Sequence, residues 1–561
     1  SGTPRKLGGT ARGCLESTIF WTDSVTLIER LFALILFLPI AGLIDDASGR
    51  YSGINWISGV DRLITEPALL ESILLSVWVA LASLLISLFV ARALTQKVTN
   101  THDSPIWRSL LLAMPHSALA LGLLLALSAG GVGWRWLAPI LDLPVHAQYL
   151  FPRDKWGLGA ILSLSIKESA FLTAIAVVVL KRLPLQSYRV IAAQAGLTPS
   201  ECHHQLIWPQ ILRSLWPAVF VVFVFSLTNL EVSLILGPDQ PQLIGVRLFQ
   251  LLIDPDPLNR QAGSIGLIIL LLVLGLVWLV FQILNRSRVS NKRWSLPGIN
   301  FVARLFTISF SGLICIAVVS LLIWSVTLRW DVLEPLPIAS IRALTSVFYL
   351  LPPLVTSLVI GFSTSVIAVC IAVGILEYSV SRGHNRLHWL WWAYLWMPAL
   401  PLASGLLAWV YFLGGSPGVW PVILGHTLIA LPYVMIIVSE PWFDRDIRHE
   451  MILKQSSMSV CLRLFRVWVP RHSRLLVLAG ALAFAVSCAL YTQTVLLGGG
   501  RVETLMTELI VTVGSDRRSS ALAGLINLLL PFVAFALALL INQSLWKHRA
   551  GMQGEGYADS R

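Results

Sequence analysis

Apolar stretches long enough to cross a bilayer recur twelve times along this chain, and that recurrence constrains the fold more than any single motif. A spanning helix needs about 20 mostly apolar residues. The stretches lie at 25–44, 68–92, 109–130, 157–180, 215–237 and 263–285, then at 306–327, 351–376, 389–412, 420–440, 475–497 and 520–543. Glu29 and Arg30 sit near the start of the first. Only 12% of the 561 residues are charged and 56% are hydrophobic, with a mean hydropathy of +0.76. A soluble domain needs far more charge to cover its surface, so lipid is the solvent for most of this chain. The expected fold class is therefore an all-α membrane protein. Residues 1–24 are polar, without the apolar core and cleavage site of a secretory signal.

Lys and Arg set the orientation. With both termini in the cytoplasm, 28 of the 41 Lys and Arg fall on the cytoplasmic side, 12 fall outside, and Lys167 lies within a span. The outer side carries 14 acidic residues and is close to neutral. The net charge of +12 thus reflects membrane topology and gives no support to nucleic-acid binding. Of the six cysteines (Cys14, Cys202, Cys315, Cys370, Cys461 and Cys488), none falls in an outer loop and no CxxC pair occurs. Neither a disulfide framework nor a zinc site is indicated.

The chain repeats itself. Met114-Pro115 aligns with Met397-Pro398, which sets Gly122 on Gly405. At an offset of 261, Pro209 falls on Pro470, Phe223 on Phe484, Ser226 on Ser487, and Leu236-Gly237 on Leu497-Gly498. The spans holding Ser72 and Ser357 align upstream, and Gly266-Leu267-Ile268 matches Gly524-Leu525-Ile526 downstream. Each half holds six spans, an even number, so both enter the membrane the same way and are related by an axis along the membrane normal. The halves run over 25–285 and 306–543, joined by a basic linker at 286–305 that carries Arg286, Arg288, Lys292, Arg293 and Arg304. Residues 1–24 and 544–561 form cytoplasmic segments.

The loop after the fourth span, 181–214, is long. One helix fits near Gln186–Ala195 and is stopped by Gly196. A second begins at Thr198-Pro199-Ser200-Glu201, where Thr198 can cap and Pro199 suits the first helical position. The loop at 441–474 holds the corresponding place in the second half and keeps Pro470.

Here the sequence resembles the permease subunits of type I ABC importers, whose signature is Glu-Ala-Ala, three residues, Gly, nine residues, then Ile-x-Leu-Pro. Counted back from Pro209, Gly196 takes the Gly position and Ala192 the second Ala, with Leu206 at Ile and Trp208 at Leu. Val190 and Ile191 stand where the motif has Glu and the first Ala. In the second half Ser457 takes the Gly position, Ile452 and Leu453 the Ala positions, and Met451 the Glu position, with Glu450 beside it. The resemblance covers about 68–285 and 350–543. In detail it resembles the Ynj-type fused permeases, through GLGAILSLSIKESAFLTAIAVVVL from Gly157, and more broadly it is similar to the fused permeases of the iron(III), thiamine and spermidine importer group.

The resemblance implies that each loop is a coupling helix docked on an ATPase. Ala192, Ala193, Gly196, Leu206 and Pro209 would form the first contact, with Ala192-Ala193 as a small-residue patch. Glu450, Ser457 and Pro470 would form the second. It implies two copies of a cytoplasmic ABC ATPase, a periplasmic substrate-binding protein, an inner-membrane location, and alternating access by the permease type. No lysine follows a glycine, so the chain has no GxxxxGK[ST] loop. ATP and Mg then belong to the partner, and this chain binds no cofactor and is not an enzyme. Cys202-His203-His204 is not read as a metal site, because adjacent His on a helix face different ways.

Ionisable groups inside spans are costly and face a cavity or a partner. Lys167 and Glu168 in the fourth span and Glu231 in the fifth, near Asn229, are such groups, with Tyr491, Gln493 and Thr494 opposite. They either line the solute pathway or form a buried Lys167–Glu231 pair that locks helices together. Lys167 aligns with Leu428 and Glu231 with Thr492, so the charges belong to one half. His116 and His426 receive no role, and Pro115, Pro398, Pro401 and Pro432 are expected at bends. The competing reading is an ion-coupled secondary transporter using Lys167, Glu168 and Glu231 as its relay.

Overall fold

The computed structural model describes residues 27–50, 53–101, 114–140, 142, 151–286, 299–331, 337–340, 345, 347–381, 395–445, 451–453, 455 and 458–547. In chain order the first half contains α1 (Leu27–Ala47), α2 (Trp56–Ile64), α3 (Leu69–Thr101), α4 (His116–Leu127), α5 (Val132–Leu137) and α6 (Leu158–Lys181). It continues with α7 (Leu185–Gln194), α8 (Pro199–Cys202), α9 (Trp208–Thr228), α10 (Glu231–Leu236), α11 (Ile244–Ile253) and α12 (Pro257–Arg286). The second half contains α13 (Ile299–Val326), a short hairpin of β1 (Thr327–Arg329) and β2 (Ile338–Ala339), α14 (Val347–Ser381), α15 (Ala399–Phe412) and α16 (Val419–Phe443). It closes with α17 (Val460–Arg463), α18 (Val469–Arg471), α19 (Ser473–Cys488), α20 (Thr492–Gly498), α21 (Leu505–Thr512) and α22 (Arg517–Lys547).

Helices dominate because a chain in lipid must satisfy its backbone polar groups within each segment. Polar side chains inside the spans follow the same rule. The hydroxyls of Ser76, Ser87, Thr95, Thr173 and Thr228 each donate to the carbonyl four residues earlier, at 2.5–2.8 Å. Among the described residues, nine helices are long and apolar enough to cross a membrane, and the bent pair Cys461–Arg471 and Ser473–Cys488 makes ten. The other two expected spans correspond to α1 and to α15, a shorter apolar helix of 14 residues. Outward faces are rich in bare apolar side chains, such as Leu272, Leu276 and Leu279 on α12, while α6 and α16 are mostly enclosed.

Helix packing is matched between the halves. α3 lies against α6 and α9, and α14 lies against α16 and α19. The first helix of each half crosses over: α1 packs on α15 and α12, and α13 packs on α4 and α22. Gly405 makes the first crossing possible, because a side chain there would run into the Pro39 carbonyl, and one at Gly42 would meet the Gly405 carbonyl. Trp409 Nε1 donates across the same crossing to the Leu38 carbonyl at 2.5 Å. Gly122, the sequence partner of Gly405, holds the second crossing, where an added Cβ would lie 2.7 Å from the Ala317 carbonyl oxygen.

The structure departs from the sequence reading in several places. The fifth and eleventh spans are broken, at 229–230 and at 489–491. Short helices α2, α11 and α21 occupy segments read as loops. Pro115 and Pro398 do not bend a helix. They sit at the N-caps of α4 and α15, where a missing N–H is harmless. Within the two aligned spans, Ser76 and Ser357 play matched parts. Ser76 Oγ accepts the Ile244 N–H at 2.7 Å at the start of α11, and Ser357 Oγ accepts the Leu505 N–H at 2.9 Å at the start of α21.

Candidate functional site

The loops after α6 and α16 leave the bundle at the same end, since Arg182, just past α6, pairs with Glu440 in the last turn of α16 at 3.3 Å. In the first loop, α7 turns Ala192 inward, where it is 3% exposed and packs with Cys202, Ile207 and Ile211. The expected pair of small residues is not displayed together: Ala193 is exposed, whereas Ala192 belongs to the bundle's own core. Gly196 ends α7 with a φ of +69°, a left-handed conformation that only glycine adopts at little cost. The reversal returns the Gly196 N–H to the Ala193 carbonyl (3.1 Å) and the Leu197 N–H to the Ala192 carbonyl (2.9 Å).

The next helix starts with a capping box. The Thr198 N–H donates to Glu201 Oε2 at 2.8 Å and the Glu201 N–H to Thr198 Oγ1 at 3.3 Å. Arg92 and Gln96 of α3 reach this helix, Arg92 Nε donating to His204 Nδ1 at 2.9 Å and Gln96 Nε2 to Ser200 Oγ at 3.0 Å. His203–Ile207 then forms a π-turn closed by the Trp208 N–H on the His203 carbonyl. Pro209 follows at once. Proline lacks an N–H and clashes with the carbonyl four residues back, so a widened turn admits it without ending the helix. Leu206 and Pro209 are half-buried.

The second loop repeats this elbow. Leu464–Trp468 forms a π-turn closed by the Val469 N–H on the Leu464 carbonyl, and Pro470 follows. The offset is again 261. No sequence signal distinguished these π-turns from ordinary helix. The elbow is anchored by Arg445, 4% exposed, which pairs with Glu377 of α14 at 2.7 Å and lies 4.4 Å from the Trp442 ring and 4.1 Å from that of Trp468. Glu450 and Ser457 lie outside the described residues.

The polar residues of the spans separate into distinct groups. Lys167 donates to the Met114 carbonyl, at the Met-Pro break before α4. Gln493 of α20 does the matching work in the other half, donating to the Ala399 carbonyl beside Met397-Pro398 at 3.1 Å. Glu168 pairs with His116 at 3.1 Å, and Tyr433 of α16 lies beside it. Asn229 Nδ2 donates to Glu231 Oε2 at 3.3 Å, and Asn229 Oδ1 accepts the Val232 N–H at 2.7 Å. The Glu231 carboxylate also lies beside the backbone of Tyr491 and Thr492 and the Thr492 hydroxyl. These partners differ from the Lys167–Glu231 pair weighed above. Thr494 bonds the Leu490 carbonyl and His426, whose other ring nitrogen meets Ser487 at 2.8 Å. Glu231 and Tyr491 thus mark the place where the broken spans of the two halves meet.

No protein-family model matches the chain. It is similar to the inner membrane ABC transporter permease protein YnjC of Escherichia coli (strain K12), at 28% identity over 87% of this chain and 90% of that protein. It is similar to the thiamine transport system permease protein ThiP of Brucella abortus (strain 2308), at 25% identity over 84% of this chain and 86% of the relative. The ThiP of Salmonella typhimurium is 27% identical over 62% of this chain and 66% of its own length. The chain is thus similar over most of its length to ABC transporter permeases, and many of its described helices are long and apolar enough to cross a membrane.

Proposed function

We propose that this chain is the complete pore of an ATP-binding-cassette importer of the inner membrane, built as two parallel six-helix repeats. Both termini and both elbows face the cytoplasm in this reading, as the Lys and Arg distribution requires. Two ABC ATPase subunits dock on the elbows and supply ATP hydrolysis with their own Mg. A periplasmic binding protein delivers the solute at the opposite end. Closure of the ATPases moves α9 and α19 through their elbows, exposing the axis at Glu231 and Tyr491 alternately to the two sides.

The observation that carries this reading is the duplicated elbow: a π-turn and a proline at 203–209 and again at 464–470, at one end of the bundle. An ion-driven transporter has no use for two such handles at matched places. The buried Lys167, Glu168 and His116 are what such a transporter would use as a relay, and the test separates the two. Co-expressed with a neighbouring ABC ATPase gene, the purified chain should retain that ATPase, and vesicles holding the complex should take up solute only with ATP. Uptake by the chain alone under a proton or sodium gradient would favour the relay. Thiamine, the solute named for the ThiP relatives, is the first to test.

A further inference from the structure

His426 of α16 braces the break in the eleventh span. One ring nitrogen meets Ser487, in the last turn of α19 before the break, at 2.8 Å. The other meets Thr494 of α20, beyond the break, at 3.0 Å. At the repeat offset of 261, the first half has Ser165 for His426, Ser226 for Ser487 and Ser233 for Thr494. The helices that carry them pack in the same way: α6 lies against α9 and α10, as α16 lies against α19 and α20. Ser233 also repeats the chemistry of Thr494. Its hydroxyl donates to the Asn229 carbonyl four residues back, as that of Thr494 donates to the Leu490 carbonyl.

The match fails at the brace itself. Ser165 and Ser226 are 1% and 4% exposed, and neither hydroxyl has a hydrogen-bond partner among the described residues. Neighbouring hydroxyls such as those of Thr173 and Thr228 turn back to a carbonyl of their own helix instead. Ser117 and Ser163 are also buried without a partner, but Ser165 and Ser226 hold the places of a bonded pair. Buried hydroxyls are almost always bonded, and water supplies the bond where the site is roomy and polar enough. Serine at 165 lacks the imidazole ring, which leaves room of the order of one water. The bonding also balances. Ser165 and Ser226 each have an O–H to give, and Ser233 Oγ, its proton already spent, can only accept. A water that accepts two bonds and donates one makes about the three bonds usual for buried water. We infer that one water molecule, held by Ser165, Ser226 and Ser233, takes the place of the His426 ring and braces the break in the fifth span. The first half thus has an exchangeable brace where the second has a side chain. The arm it holds is α9, which runs from the first elbow to the break beside Glu231.

The full chain in lipid nanodiscs serves for the test. Ser165→Ala and Ser226→Ala should each lower the melting temperature by about 2–5 °C, because each leaves the water and the remaining hydroxyl short of a bond. The double variant should fall no further than the worse single one, since the first loss already frees the water. Amide exchange at 229–233 should quicken severalfold in all three and stay parental at 490–494. A dry gap gives the opposite sign: each alanine would delete a buried hydroxyl that bonds nothing, and the melting temperature would hold or rise. That result would overturn the inference, as would losses that add in the double variant or parental exchange at 229–233. Should a variant not purify as a single species, a cryo-EM map of the parent fine enough to show ordered water decides. Density within hydrogen-bonding distance of both Ser165 Oγ and Ser226 Oγ supports the brace, and well-ordered serines with no such density refute it.

Discussion

Glu231 and Thr492 stand at the same place in the two halves of this chain, 261 residues apart, and they lie together: the Glu231 carboxylate faces the Thr492 backbone and hydroxyl. A residue can meet its own counterpart only at the axis relating the halves. The contact therefore lies where the two halves meet, with an acid on one side and a hydroxyl on the other. The broken spans make it possible. Asn229 ends α9 and Tyr491 opens α20, so free N–H groups of one half point at the carboxylate of the other.

Replacing Glu231 by Ala should strip these donors of their acceptor and lower stability by about 1–3 kcal/mol, read as a fall in melting temperature in detergent. Glu231→Gln keeps one acceptor oxygen and should fold in near-parental yield while ATP-driven uptake drops. Equal loss of yield and uptake in Glu231→Gln would assign the carboxylate to structure alone. A parental melting temperature in Glu231→Ala would contradict the contact itself.

The apolar helices could be read in the sequence because apolar length is a property of a segment and needs no tertiary detail. The elbow helices were legible for the same reason: Gly196 and the Thr198–Glu201 pair act within one turn of chain. What remained hidden depends on partners far away in sequence. Ala192 reads as a surface residue until Cys202 and Ile207 are folded over it. Lys167 reads as half of an ion pair until the Met114 carbonyl, just ahead of α4, is brought beside it. Gly122 and Gly405 aligned in sequence, but only packing shows that each admits the first helix of the other half.

That crossing is sensitive to a single methyl group. Gly405→Ala should cost about 1–3 kcal/mol or more, because its Cβ meets backbone at Pro39, which cannot rotate away. Gly275→Ala on α12, where the added Cβ meets nothing within 4 Å, should cost no stability and gain up to about 1 kcal/mol from helix propensity. Thermal unfolding of the two variants side by side checks this, and equal melting temperatures would refute the crossing.

The His426 contacts fix a tautomer. Thr494 spends its only hydroxyl proton on the Leu490 carbonyl at 2.7 Å, so His426 Nε2, 3.0 Å away, must donate to it. Nδ1 is then the acceptor for Ser487 Oγ at 2.8 Å. His426→Phe should leave both hydroxyls short of a partner and cost about 1–3 kcal/mol. Adding Thr494→Val and Ser487→Ala should recover part of that loss. A double-mutant cycle that shows no coupling between positions 426 and 494 would rule the arrangement out.

The second elbow hangs on Arg445. Its guanidinium lies against Trp442 and Trp468 and pairs with Glu377 at 2.7 Å, joining α14, α16 and the π-turn in one contact. The first elbow is held by the Arg92–His204 and Gln96–Ser200 hydrogen bonds instead. Breaking a buried ion pair from one side costs about 3–5 kcal/mol, because the remaining charge is stranded. Arg445→Lys is no conservative change here, since an ammonium offers no planar face to lay against the indoles. Arg445→Lys and Glu377→Ala should each loosen the second elbow, seen as faster tryptic cleavage after Arg463 and Arg466 with cleavage after Arg189 unchanged. Glu377→Ala combined with Arg445→Met, which removes both charges and keeps a long side chain over the rings, should restore most of the protection. Cleavage after Arg463 at the parental rate in Arg445→Lys would mean that the elbow is held by its own helices and not by this contact.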